Sequence, residues 1–456
     1  MTWLLIAGFA VLVVLIALKR QFDHDEFEAI KSTWKIFVGE SIYVDFFQHH
    51  PPFLYYLLTP LFSLLGETKT TIYAARVLML CFTLGSLVMV HELARLLFSR
   101  RVAAVSVLFL LSVTMFVGKA IEVRPDVPQT FFGLLSLWLL YRFFDSGRKG
   151  LLVLSALFLG LGFLFLQKII FLILLMHTVL FYRVMRRQLR WSLLVQFSAL
   201  LLAVWGGYCL YLAYTGELAQ YWFFNFEFNM ASTGYSMGQA KVLIKHMAGF
   251  NGIVLLGLLL GLFATRTQPQ RELAVMAISL LGITVCYRAQ YAQYYMSALP
   301  LVVIIAAAGW ETIAQRHCLA AVACMVAASL PSSAVYFYEA FGRNNHYQLA
   351  RIEYVLEHTQ TSDYVYDGNI MFNLFRKDID FFWYSVREGH LLDKYKRLTG
   401  YRYDIFEIID KYEPKIISNF GIDDMRHPVI QNYYRQDPVY QDLYLRIDKR
   451  AMDKQE

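Results

Sequence analysis

Long apolar stretches broken by short polar clusters fill the first 340 residues of the chain. A helix that crosses a bilayer needs about 20 apolar residues at about 1.5 Å rise each. On that measure the pattern predicts eleven spans, at 2–18, 72–97, 102–118, 127–144, 151–166, 169–183, 191–214, 247–264, 273–287, 297–315 and 318–337. Gln167-Lys168 interrupts the run 151–183, which suits two crossings better than one. The first run, Trp3 to Leu18, has neither a basic flank before it nor a small-residue cleavage motif, and reads as a retained span. The loop that follows has a different pattern. Phe27, Ile30, Trp34 and Phe37 recur at helical spacing with Lys31 and Lys35 on other faces, which predicts an amphipathic helix lying in the membrane interface. Phe53 to Leu65 is short for a crossing and reads as a second interfacial piece; as a tilted span it would reverse the topology of everything downstream.

Beyond position 340 the apolar runs stop. Tyr364-Val365-Tyr366 and Lys415-Ile416-Ile417-Ser418 read as short strands, the second preceded by a helical pattern from Tyr403 to Tyr412. Charge marks the same boundary: residues 341–456 hold 17 Lys+Arg and 19 Asp+Glu, the first 340 hold 25 and 16. The expected organisation is therefore a polytopic α-helical membrane module over 1–340 and a small soluble α/β domain over 341–456. The chain is 57% hydrophobic and only 17% charged, which excludes an ordinary soluble enzyme. Its net charge of +7 belongs to membrane loops and argues for no nucleic-acid partner. Basic clusters at Ser99-Arg100-Arg101, Gly147-Arg148-Lys149, Arg183 to Arg190 and Arg266 to Arg271 put the N-terminus in the cytoplasm. An odd number of spans then leaves the first loop and the C-terminal domain outside. No N-x-[ST] sequon occurs, which favours a bacterial cytoplasmic membrane over a secretory one. The five cysteines form no CxxC pair and none lies beyond Cys324, so no disulfide framework holds the C-terminal domain.

Ionisable residues gather at the outside ends of the spans. Asp23-His24-Asp25-Glu26 follows the first span directly; Asp45 and His49-His50-Pro51-Pro52 return in the same loop, and Lys119, Glu122, Arg124, Pro125 and Asp126 form the next outside cluster. Such groups at a membrane edge mark a functional site by default. Transporters instead place polar groups near the midplane of broken helices in repeated halves, and no paired halves are evident. A transporter or lipid-sugar flippase is the competing class.

Asp25-Glu26, Trp34, Gly39-Glu40, Tyr43, Asp45, His50-Pro51-Pro52 and Arg76, followed by Arg124-Pro125-Asp126 and Gln167-Lys168, resemble the loop signatures of GT-C membrane glycosyltransferases. The likeness is to the group containing protein O-mannosyltransferases, the lipid A aminoarabinose transferase and the rhizobial lipopolysaccharide galacturonosyltransferases. It covers roughly the first 170 residues and, more loosely, the overall layout. It implies a transferase that uses a polyprenyl-phosphate sugar donor, embedded among membrane lipids, with an envelope glycan, lipid or protein as acceptor.

Such chemistry needs a carboxylate to take the acceptor proton and cations to receive the departing phosphate. Asp25 is the family-matched carboxylate, with Asp126 a second candidate. Glu26 either orients Asp25, binds acceptor or serves as a helix N-terminal charge. Lys168, Arg124 and Arg288 are the candidate phosphate-binding cations. The competing roles are headgroup snorkelling for Lys168, interfacial anchoring for Arg288, and pairing with Asp126 for Arg124. His49, His50, Tyr294 and Tyr295 are candidate substrate contacts. The aromatic run Tyr221 to Phe228 suits either an interfacial segment or stacking on a sugar. Asp23-x-Asp25 has the form of a metal motif, with His24, His49 or His50 as further ligands, so a divalent metal is a candidate cofactor and no other is indicated.

Overall fold

The computed structural model describes residues 2–231, 237–286, 291–314, 334–384 and 390–447. Its packing divides the chain into two compact units, both discontinuous in sequence. One comprises Met1–Arg20, Arg76–Tyr214 and Thr233–Arg343; the other comprises Gln21–Ala75, Thr215–Ser232 and Asn344–Glu456. Composition marks a boundary near 340, but packing groups the C-terminal residues with the first loop and with the short segment 215–232.

The first unit is a helical bundle. Among the described residues, four helices of the chain are long and apolar enough to cross a membrane: Lys69–Leu97, Gln167–Met185, Trp191–Thr215 and Gln268–Cys286. The expected span 102–118 is not one rod. It is the pair Arg100–Ser112 and Thr114–Ala120, bent by 75° at Val113, and it counts as a fifth crossing if taken as one span. Val113 has extended backbone, so the first helix ends there and a second begins. The helix Met237–Ala264 is also interrupted, at Asn251 (φ −131°, ψ 26°). The Asn251 carboxamide donates to the Ser112 carbonyl, which supplies a partner beside the break at Val113. Shorter apolar helices include Trp3–Lys19, Lys149–Phe165 and Leu299–Ala314. Most of the expected span 318–337 lies outside the described residues.

Close approach of backbones stabilises this bundle. A Cβ on Gly309 would lie 2.2 Å from the Gly257 carbonyl oxygen, and one on Gly261 would lie 2.0 Å from that of Ile305. Lipid tails offer no hydrophobic drive between apolar helices, so crossings of small residues gain their stability from packing. Arg76, fully buried, donates to the carbonyls of Ala17 and Arg20, satisfying acceptors at the end of the helix Thr2–Lys19.

The second unit is built round a small sheet. Strands β1 (Val365–Tyr366) and β2 (Ile416–Ser418) fall where alternation predicts them, and the helix Ile405–Tyr412 matches the expected one. Two further strands, β3 (Tyr434–Gln436) and β4 (Leu443–Arg446), complete a sheet of order β1-β2-β4-β3. The first pair is parallel and the others antiparallel. Tyr366, Ile379, Ile405, Ile409, Ile417, Ile422, Ile430 and Tyr434 form its apolar core.

The helix His24–Phe37 forms as its periodicity predicts, but it does not lie half-exposed in an interface. Every residue from Glu26 to Lys35 is buried. Phe27, Ile30 and Trp34 are at most 1% exposed and Lys31 is fully buried, while Phe37 is the partly exposed one. The lysines are accommodated because the C-terminal segment supplies counter-charge. Lys31 Nζ donates to the carbonyls of Asn373 and Arg376 and pairs with Asp378 at 2.9 Å; Lys35 Nζ pairs with Asp378 and Glu40, both at 2.9 Å. The second predicted piece is the helix Phe53–Leu65, which packs against the first.

Candidate active site

Asp25 sits in the first turn of the helix His24–Phe37. Asp23 is the N-cap: its side chain accepts from Asp25 N, while Glu26 Oε1 accepts from Asp23 N at 2.9 Å. This reciprocal capping box satisfies amides that the helix itself cannot. It also accounts for two candidate residues at once. Asp23 and the fully buried Glu26 hold the end of the helix, and Asp25 between them is half-buried. The Tyr384 hydroxyl donates to Asp25 Oδ1 at 3.4 Å.

The loop carrying the histidines is fixed by main-chain bonds. The Gln48 carboxamide oxygen accepts from His49 N at 2.7 Å and His50 N at 3.1 Å, and its nitrogen donates to Ser32 Oγ at 2.8 Å. Asn229 donates to the His49 carbonyl and the Tyr43 hydroxyl to the His50 carbonyl. Tyr43 itself takes φ 69°, a left-handed conformation that an L side chain rarely adopts. Phe47 pairs through its backbone with Phe381 and accepts from Trp383 Nε1. The aromatic run 221–228 faces inward for the most part. Tyr221, Phe224 and Phe228 are buried against Tyr43 and Phe47, so they form core and not a sugar platform.

Metal-ligating groups converge at one place among the described residues, and it is not the Asp23-x-Asp25 motif. Glu28, His49 and His50 each bring one ligand atom within 4.8 Å of the others. Asp23 is held in the helix cap instead. A buried lysine also lies in this unit: Lys394, its ammonium 4.1 Å from the centroid of Phe228, has its pKa pulled down to about 8 by burial and by Arg397.

In the first unit Glu122, 1% exposed, is a hub for cations. Arg20 and Lys119 pair with it, and Arg124 lies 3.7 Å from Glu122 and 3.5 Å from Asp126. Arg124 and Asp126 are both buried and paired, which is the architectural alternative for Arg124. Lys168 stands in a turn, Gln167–Ile169, between two helices, half-buried, with its ammonium 3.5 Å from the centroid of Tyr294. That approach is a cation–π pair. Tyr295 is buried beside it in sequence, and Arg288 lies outside the described residues.

A profile of the dolichyl-phosphate-mannose-protein mannosyltransferase family matches residues 49–223. No curated protein sequence matches the chain. Among solved structures, ArnT from Cupriavidus metallidurans bound to undecaprenyl phosphate aligns with TM-score 0.63 at 15% identity, over 87% of this chain and 88% of that one. The apo form of the same ArnT gives 0.61, over 82% and 84% at 15% identity. AglB, an oligosaccharyltransferase from Archaeoglobus fulgidus in complex with an inhibitory peptide and a dolichol-phosphate, gives 0.61 at 12% identity, over 98% and 74%. The chain shares the fold of these transferases.

The stretch matched by the family profile takes in His49-His50-Pro51-Pro52, Arg124-Pro125-Asp126 and Lys168 and begins after Asp25-Glu26. Two residues escaped the sequence reading. Glu28 had a local signal, being one turn beyond Asp25 on the same helix face. Tyr384 had none, because it reaches Asp25 across 359 residues of sequence.

Proposed function

We propose that this GT-C protein transfers a sugar from a polyprenyl-phosphate-linked donor to an envelope glycolipid, polysaccharide or protein at the outer face of the bacterial cytoplasmic membrane. The observation that carries the reading is a half-buried carboxylate, Asp25, fixed at a helix N-terminus by a capping box and touched by a tyrosine hydroxyl, in a chain of GT-C fold. The ArnT and AglB structures were solved with undecaprenyl phosphate and with a dolichol-phosphate, which supports a lipid-phosphate donor here. A sugar on a lipid phosphate is already activated, so the protein supplies a base and a receptor for the leaving anion. Asp25 takes the proton from the acceptor hydroxyl or amine as that atom attacks the anomeric carbon. The bond from that carbon to the phosphate oxygen breaks, and the lipid phosphate leaves as an anion. Lys168 and Arg288 are the proposed cations for that anion. Asp126 stands next in line as base.

Single-turnover transfer and donor binding by purified wild type and Asp25→Asn test this. General-base loss costs about 10²–10⁴-fold, so the variant is expected to bind donor and transfer almost nothing. Near-normal transfer would remove Asp25 from the role. Lys168→Ala is expected to weaken donor binding by about 2 kcal/mol or more, and an unchanged affinity would make Lys168 a headgroup anchor. A reporter active only in the periplasm, fused to the C-terminus, is expected to score positive. Mass spectrometry of envelope glycolipids and polysaccharides with and without the gene identifies the product.

A further inference from the structure

We propose that Glu28, His49 and His50 form a binding site for one divalent transition ion of the zinc type. Successive side chains on an extended strand point to opposite sides, so two adjacent histidines ordinarily cannot ligate together. Here the backbone is turned so that they do: the His49 and His50 ring centroids lie 4.1 Å apart. All four main-chain hydrogen-bonding groups of the pair are committed, the two amides to Gln48 and the two carbonyls to Asn229 and Tyr43. The Gln48–Ser32 bond ties this turn to the helix that carries Glu28, one turn before Ser32. Glu28 is 3% exposed, so its carboxyl meets the imidazoles and not bulk water.

The three ligand atoms lie within 4.8 Å of one another, and a small inward movement of the side chains brings them to the roughly 2.0–2.2 Å that zinc takes from nitrogen and oxygen. Two imidazoles and one carboxylate are a zinc-type donor set, whereas calcium and magnesium prefer oxygen alone. Three protein ligands leave a fourth position open for a water or another oxygen. Glu28 lies one helical turn from the carboxylate Asp25, but the proposal stands without the transfer reading, because metal binding is measured on its own.

The test uses the full-length protein, stripped with chelator and held in lipid nanodiscs, titrated with zinc chloride alone. One equivalent per chain is expected, and Glu28→Gln and His50→Ala are each expected to weaken it at least tenfold. Zinc-edge X-ray absorption of the loaded wild type is expected to show two imidazoles and oxygen in the first shell. That measurement needs no variant, so it decides even if a substitution harms folding. Absence of stoichiometric zinc, binding indifferent to both substitutions, or a spectrum without paired imidazoles would overturn the proposal. A plain Glu–His hydrogen-bond cluster gives the first of these results.

Discussion

At the scale of single residues, the loop motif singled out Asp25 but not the company it keeps. The Tyr384 hydroxyl donates to Asp25 Oδ1 at 3.4 Å, which places it to orient the carboxylate proposed as base. Removing the hydroxyl in Tyr384→Phe is expected to lower kcat by roughly tenfold or less, the worth of one hydrogen bond. KM is expected to change little. An unchanged kcat would show that Tyr384 only packs against His24 and His49. Asp23 and Glu26 were legible as charges near a helix start, yet their spacing of three is also that of a capping box. Only the backbone geometry tells a cap from a ligand. Asp23→Ala is therefore expected to cost about 1 kcal/mol of stability, with Asp23→Asn recovering most of it in thermal denaturation, and neither change is expected to alter metal binding.

At the scale of elements, the helix His24–Phe37 shows where periodicity reading stops. Its apolar stripe predicted both the helix and its buried face. The polar stripe predicted exposure, and that failed because Asp378 and two backbone carbonyls receive the lysines. The two lysines respond differently to this burial. Desolvation brings Lys31 down to about 8, despite Asp378. Burial also pulls on Lys35, but Asp378 and Glu40 more than offset it and raise its pKa. A lysine whose pKa is lower folded than unfolded holds fewer protons in the native state between those two values, so its contribution to stability rises with pH there. For Lys31 the window runs from about 8 to the unfolded value near 10.5. The stability of wild type relative to Lys31→Met is expected to grow across that window by on the order of 3 kcal/mol. A flat difference would mean that Lys31 titrates normally. The breaks at Val113 and Asn251 were also hidden, since both fall inside apolar runs without proline.

At the scale of the whole molecule, hydropathy separated apolar from polar sequence well, but it carries no information about which polar pieces fold together. The C-terminal residues share their unit with the first loop through Lys31, Phe47 and Trp34, the last by way of Glu67 and Arg376. Residues 344–456 expressed alone are accordingly expected to stay unfolded by circular dichroism and hydrogen exchange. A cooperatively folded fragment would restore the division that composition suggested. The same arrangement sets a clock on biogenesis. Lys31 and its acceptor at Asn373 are 342 residues apart, and at roughly 5–20 residues per second a ribosome takes on the order of 20–70 s to cover that distance. Throughout that interval the nascent loop carries two lysines destined for burial whose shared counter-ion has not been made, so the helix that bears Asp25 reaches its final setting only as the chain nears completion.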